Sequence, residues 1–208
     1  VVSTSSTPET VLRLLGGRFG AEALAERMRT WKLFDPIVLA TFGVRASLEG
    51  TPTSQILDGI EPVEVGGVLN ERMHLRIFHD EPSFAPPGHA VLQVMMRSDY
   101  DWWTRQGSGY GAAKDELAAR LLQAIDVHHA GVADAAVMTD VATPLTVWNA
   151  ARARRGAYEG WQPNAEGFFG RVERTLPGLA GLWLAGQWVE PGGGVPTALT
   201  SGRQVVQL

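Results

Sequence analysis

Apolar positions recur along this chain with periods that change several times, and each change marks an element. Ser6-Thr7-Pro8-Glu9 reads as a helix start, because Ser or Thr can cap, Pro is tolerated in the first turn and Glu suits the positive end of the dipole. That helix runs to Leu15 and stops at Gly16-Gly17. From Ala21 to Trp31, Leu24, Met28 and Trp31 form one apolar stripe at i, i+4, i+7, which predicts a second helix. After Asp35-Pro36 the run Ile37 to Val44 is short, β-branched and bounded by turn residues, the signature of a buried strand. A polar, glycine-rich stretch from Ser47 to Gly67 carries no predicted element. Between Glu71 and His79, Met73, Leu75 and Ile77 alternate with His74, Arg76 and Phe78, the period of a half-buried strand. A turn from Pro82 to Gly88 then leads into a strand over His89 to Met96, so the two runs are expected to pair antiparallel. Helices are predicted over Asp99 to Gln106 and Ala112 to Val127, the latter with Leu117, Leu121 and either Ile125 or Leu122 on one face. Ala135 to Val141 reads as a strand closed by Thr143-Pro144. The pattern is α+β, a mostly antiparallel or mixed sheet flanked by helices.

The last third changes character. Trp148 to Trp161 is rich in Arg, Gly and aromatic residues, and Asn164 to Thr175 can hold a short helix. A short apolar strand, Leu182 to Gly186, is followed by Pro191-Gly192-Gly193-Gly194 and a final helix from Thr197 to Gln207. No internal repeat is visible.

Composition removes several function classes. The 208 residues are long enough to bury a core without disulfide staples, and 45% apolar with 19% charged residues excludes a disordered chain, a coiled coil or a membrane bundle. A net charge of −4 speaks against a duplex-binding footprint, so no nucleic-acid partner is expected. Cysteine is absent, which removes thiol nucleophiles, iron–sulfur clusters and Cys-ligated zinc. No metal site is expected from the histidines either. Positions 74, 79, 89, 128 and 129 lack the i, i+4 spacing with a helical carboxylate, and His128-His129 reads as a solvated helix end. No apolar run is long enough to span a membrane, and the first residues lack a basic region followed by an apolar one, so the expected location is the cytoplasm.

Three smaller features have alternative readings. Gly107-Ser108-Gly109 superficially resembles a nucleophile elbow but reads as a loop. Arg152, Arg154 and Arg155 form either a solvated face or an anion site. The seven tryptophans are expected in the core or at an interface, while Trp148, Tyr158 and Trp161 have a second reading as the lining of an apolar tunnel.

The most informative segment is Gly181 to Gln207. A strand, a glycine-rich turn and a helix start form either a cofactor cradle or a plain turn, because glycines let a ligand approach the main chain and free N–H groups supply positive potential. The string GLWLAGQWVEPGGGVPTALTSGR, Gly181 to Arg203, closely resembles the C-terminal flavin-binding signature of FAD-dependent oxidoreductases of the phytoene desaturase and carotenoid isomerase type. The resemblance extends to Val1-Val2-Ser3 with the following helix ending Leu14-Leu15-Gly16, to Ser83 through His89, to Asp140 through Thr146, and to Gly156 through Trp161.

That resemblance implies a division into residues 1–5 as the end of an FAD-domain strand, 6–178 as a substrate-binding domain, and 179–208 as the closing FAD-binding segment. It implies FAD as cofactor, held by Ala185, Gly186 and Gln187 near the ribityl-pyrophosphate and by Gly193, Gly194, Val195 and Pro196 at the isoalloxazine edge. There, helix-terminal N–H groups would favour negative charge on the flavin. Gln187 stands where many relatives of the wider class carry an acidic residue. The implied substrate is an apolar polyene or isoprenoid-like molecule, which suggests peripheral membrane contact. No catalytic side chain stands out.

A complete member begins with a strand, a GxGxxG turn and a helix. Gly16-Gly17-Arg18-Phe19-Gly20 follows a helix and lacks that spacing, so the chain resembles only the C-terminal portion. The chain is then either a fragment of a longer enzyme or a split subunit whose partner chain, or a second copy, supplies the dinucleotide-binding half, and the 182–185 strand is expected to pair with Val1 to Ser3, with a partner or with another copy. The alternative is a non-catalytic module that holds a lipophilic ligand or docks on a partner.

Overall fold

The computed structural model describes residues 1–163 and 172–207. In chain order they form β1 (Val2–Ser3), a π-helical segment (Glu9–Leu14), α1 (Ala21–Thr30), β2 (Ile37–Val44), β3 (Ser54–Leu57), β4 (Val63–Val65), β5 (Val68–Asn70), β6 (Met73–Phe78) and β7 (Ala90–Arg97). There follow α2 (Tyr100–Thr104), α3 (Tyr110–Asp126), β8 (Ala136–Ala142), α4 (Pro144–Ala151), β9 (Trp183–Leu184) and α5 (Gly194–Val206). The fold is α+β, with a mostly antiparallel sheet flanked by helices. The chain divides into two units: Val1–Asp35 with Thr146–Leu208, and Pro36–Leu145. In the first of these, Val11, Leu24, Trp161 and Leu176 join Leu184, Trp188 and Val189 in one apolar cluster.

The unit Pro36–Leu145 is built on one five-stranded sheet of order β3-β6-β7-β2-β8, antiparallel throughout. Strict alternation sorts its two faces. Val38, Ala40, Phe42 and Val44 of β2, Leu92 and Val94 of β7, and Met73, Leu75 and Ile77 of β6 are buried. They pack into the same core as Leu117, Leu121 and Ile125, the apolar stripe of α3. On the other face His74, Arg76, Met95, Met138 and Asp140 are exposed, and Leu39, Thr41, Val91 and Gln93 are half-buried.

Between Gly43 and Val44 the register against β8 shifts, from Gly43↔Met138 to Val44↔Ala136, so Val137 is the extra residue of a β-bulge. A Cβ on Gly43 would lie 3.3 Å from the Met138 Cβ, which accounts for a glycine inside a central strand. The hairpin β4–β5 turns on Gly66-Gly67, both at positive φ (51° and 80°), the conformation of a two-residue primed turn. A Cβ on Gly66 would meet Ser98 Oγ and Trp103 Nε1 at 2.5 Å. The indole of buried Trp103 donates to Ser98 Oγ at 2.8 Å, so the turn, the end of β7 and α2 are locked together. Asp99 caps α2 by accepting from the Trp102 amide at 2.7 Å.

The other unit has its core in Val11, Leu24, Ala157, Trp161, Leu184, Trp188 and Val189. Trp161 is 1% exposed and sits edge-on to Trp31 (5.9 Å between centroids) and Trp188 (5.5 Å). Its indole donates to the Trp188 carbonyl at 3.1 Å. β1 and β9 pair parallel, Val2 with Trp183 and Ser3 with Leu184, which is one of the pairings expected from the sequence. The helix predicted from Ser6 forms in a widened version: the Leu15 amide donates to the Thr10 carbonyl, five residues back, at 3.0 Å. The short helix expected over 164–175 falls largely outside the described residues.

Candidate functional site

Beside the β1–β9 pair, the chain forms a groove of about 440 Å³. Its geometry starts with hydroxyl side chains in the first ten residues. Ser3 Oγ and Thr10 Oγ1 are 2.7 Å apart, Ser6 Oγ donates to the Arg152 carbonyl at 3.0 Å, and Thr7 Oγ1 donates to the Trp188 carbonyl at 3.1 Å. These bonds pin Thr4, Ser5 and Ser6 as one lip of the groove. The floor is Ala185, Gly186, Gln187 and Trp188, where the chain leaves β9.

Gly186 is needed there twice over. Its φ is +99°, and a Cβ would lie 3.3 Å from the Thr4 carbonyl. Its amide donates to Ser201 Oγ at 2.7 Å, and Ser201 is fully buried, so the floor is bonded to α5. The second wall is one face of α5: Val195, Ala198, Leu199 and Gly202, spaced i, i+3, i+4, i+7. Val195 and Leu199 are 71% and 70% exposed, so this apolar wall is covered by nothing among the described residues. Ala151 and Ala153 complete the rim.

None of the thirteen lining residues is ionisable. The groove can therefore orient a ligand through main-chain and hydroxyl groups on one side and apolar contact on the other, but it holds no acid or base of its own. Gln187 points its amide back into the protein, donating to the Tyr158 carbonyl at 2.6 Å.

Of the seven residues that the resemblance assigns to the cofactor, Ala185, Gly186, Gln187 and Val195 line the groove; Gly193, Gly194 and Pro196 do not. Gly192, Gly193 and Gly194 have successive φ of 101°, 51° and 77°, a path open only to glycine. A Cβ on Gly193 would fall 2.0 Å from the Glu159 carbonyl oxygen, so this glycine is enclosed by main chain. A Cβ on Gly194 would lie 3.5 Å from Glu159 Oε1, which brings a carboxylate of the chain itself close to the start of α5. The Thr197 hydroxyl donates to the carbonyls of Gly193 and Gly194. Pro196 is exposed.

The aromatic trio does not converge on the groove. Trp161 is closed into the core. Tyr158 packs against Phe34 (6.1 Å, tilted), with its phenol pushed above the ordinary value by burial, then by the charges of Glu159 and Asp35. Trp148 carries the Arg152 guanidinium over its ring at 5.5 Å. Arg152 and Arg155 both adopt positive φ, 51° and 53°, on either side of buried Ala153.

Among the described residues no group of His, Asp or Glu is arranged to hold a metal ion, and no helix is long and apolar enough to cross a membrane. Sequence reasoning missed Thr4 to Ser6, Ala151 and Ala153, which reach the groove only through long-range bonds. The α5 wall had a legible signal in the helical spacing of Val195, Leu199 and Gly202. No protein-family model matches the sequence, and no curated protein compared with it is similar enough to count as a relative.

Proposed function

We propose that the chain is the C-terminal portion of an FAD-dependent oxidoreductase of the phytoene desaturase type. It carries the substrate-binding domain and the closing flavin segment, and the dinucleotide-binding half lies outside these 208 residues. The observation that carries this reading is the groove itself. The segment with the flavin-type string and the segment Thr4 to Ser6, remote in sequence, meet around one cavity beside a parallel strand pair.

The residues fit one end of such a cofactor. An uncharged groove of about 440 Å³, apolar on one wall and with main-chain and hydroxyl groups on the other, suits a flat ring system with polar edges. It has no cation for a pyrophosphate, so those donors would come from the other half. A bound flavin would accept a hydride or electrons from an apolar substrate carbon; this chain would orient the ring and exclude water. The same reading puts the protein in the cytoplasm with peripheral contact to a membrane, the source of apolar substrates. The competing reading, a non-catalytic docking module, draws on the exposed Val195 and Leu199 of α5, which suit a protein partner equally well.

Amide NMR spectra of the 208-residue chain, titrated with FAD to millimolar concentration, separate the two. Expected are shifts confined to Ser5, Gly186, Gln187, Ala198 and Gly202, abolished in Gly202→Leu. That substitution fills the groove from a helical position where an added Cβ meets nothing within 4 Å. Shifts elsewhere, or none at all, overturn the flavin reading for this chain.

A further inference from the structure

The other face of the five-stranded sheet is ordered in a way its core-facing side does not explain. Register lines up three rows across it. The middle row is polar: Ser54, Arg76, Gln93, Thr41 and Asp140 stand opposite one another from β3 to β8. On one side runs Ile56, His74, Met95, Leu39 and Ala142; on the other, Phe78, Val91, Gly43 and Met138. Ile56 is 64%, Met138 46% and Met95 36% exposed. Phe84, 55% exposed, stacks edge-on against Phe78 at 5.1 Å and extends the second apolar row. Two opposite charges stand in the polar row three strands apart. The Arg76 guanidinium rests on the Phe78 ring at 4.8 Å, and the Asp140 side chain has no ion pair or hydrogen bond among the described residues.

We propose that this face is the contact surface of a homodimer, formed by two copies packed sheet on sheet. A twofold axis parallel to the strands and midway between β7 and β2 exchanges β6 with β8 and β7 with β2. It sets Arg76 of each copy over Asp140 of the other, and Gln93 over Thr41. The flanking rows then meet each other: Phe78 over Met138, Met95 over Leu39, Val91 over Gly43, and His74 over Ala142. An axis across the strands would instead stack Arg76 on Arg76 and Asp140 on Asp140.

Aligned sheets cross at about −30°, which displaces the Arg76–Asp140 pair by about 3.5 Å, within the reach of an arginine side chain. Four strands about 4.8 Å apart, over about five residues of 3.4 Å, give a projected footprint of about 320 Å² on each copy. The two footprints together, about 640 Å² before side-chain relief, fall below the about 1,200 Å² of a standard interface, so the dimer is expected to be weak and to form toward the upper end of the micromolar range. The proposal uses only residues of Pro36–Leu145 and none of the groove, so it stands or falls separately from the flavin reading.

Sedimentation velocity of the chain from about 1 to about 200 µM at low salt tests it. Expected is a monomer–dimer equilibrium. Asp140→Arg and Arg76→Asp should each weaken association at least about 10-fold, since like charges then face each other across the contact. Arg76→Asp combined with Asp140→Arg should restore it to within about 3-fold, because the swapped charges again pair. Both side chains are exposed, and circular dichroism confirms that the variants fold. A chain that stays monomeric at the highest concentration leaves the face to another occupant and overturns the proposal. So does a dimer indifferent to the single substitutions, or one that the double swap fails to rescue.

Discussion

Gly193→Ala is the sharpest test of how the glycine-rich turn is built. The residue sits at φ 51°, ψ −161°, a region in which a side chain costs about 1–3 kcal/mol of backbone strain. The new Cβ would also fall 2.0 Å from the Glu159 carbonyl oxygen and 2.8 Å from its carbon, and main chain cannot turn aside as the tip of a side chain can. Overpacking of that kind adds about 1–3 kcal/mol, so the expected loss is about 4 kcal/mol, or about 10 °C in melting temperature. Gly202→Ala makes the contrast. It lies in α5 at ordinary helical φ with nothing within 4 Å of an added Cβ, and alanine there should stabilise by about 0.5–1 kcal/mol. Thermal melts followed by far-ultraviolet circular dichroism, run on the parent and both variants, read the two effects with opposite signs. If Gly193→Ala melts within about 2 °C of the parent, the enclosure by Glu159 is refuted. The glycine would then be explained by the approach of a ligand, not by the fold.

Two further outcomes follow from side-chain environments. Arg174 bonds to Glu190, Gln204 and the Val189 carbonyl with only 14% of its side chain exposed, and Glu190 is 23% exposed. Arg174→Ala strands that carboxylate and should cost about 2–4 kcal/mol in urea unfolding, while Arg174→Met with Glu190→Leu should recover a large part of it. Burial, and then the charge of His128, hold His129 below the ordinary histidine value, so the unfolded chain binds this proton first as the pH falls. Its neutral form contributes fully above about pH 6.5, and stability declines below that until the folded ring also protonates. Melting temperatures of the parent between about pH 7.5 and about pH 5.5 should fall more steeply than those of His129→Gln.

What the sequence made legible follows the length and regularity of each element. β2, β6, β7 and α3 are long enough for their periods to register, and the alternation of Met73, Leu75 and Ile77 matches the buried face residue for residue. β3, β4 and β5 have four, three and three residues, too few for alternation to rise above a polar, glycine-rich background. Pro144, read as closing a strand, opens α4; its missing N–H costs nothing at a helix start. α5 begins at Gly194, earlier than the expected Thr197, because Gly193 turns the chain into it.

The groove was half legible. Ala185, Gly186, Gln187 and Val195 stand within one string, whereas Thr4 to Ser6 join them through hydroxyl bonds to Trp188 and Arg152 that no local pattern encodes. Gly193 and Gly194 illustrate the opposite case. A glycine demanded by main-chain packing and one demanded by a ligand look alike in a sequence.

The distribution of tryptophan has a practical consequence. Trp102 and Trp103 are the two tryptophans of Pro36–Leu145, T-shaped with centroids 4.8 Å apart, while Trp31, Trp161 and Trp188 form an edge-on trio in the other unit. Rings this close and nearly perpendicular couple their electronic transitions, so each unit carries its own chromophore cluster. Replacing Trp102 by Phe would silence one couplet in the near-ultraviolet dichroism and leave the other. The order in which the two halves of the chain lose structure could then be read from a single optical trace, without attaching a dye.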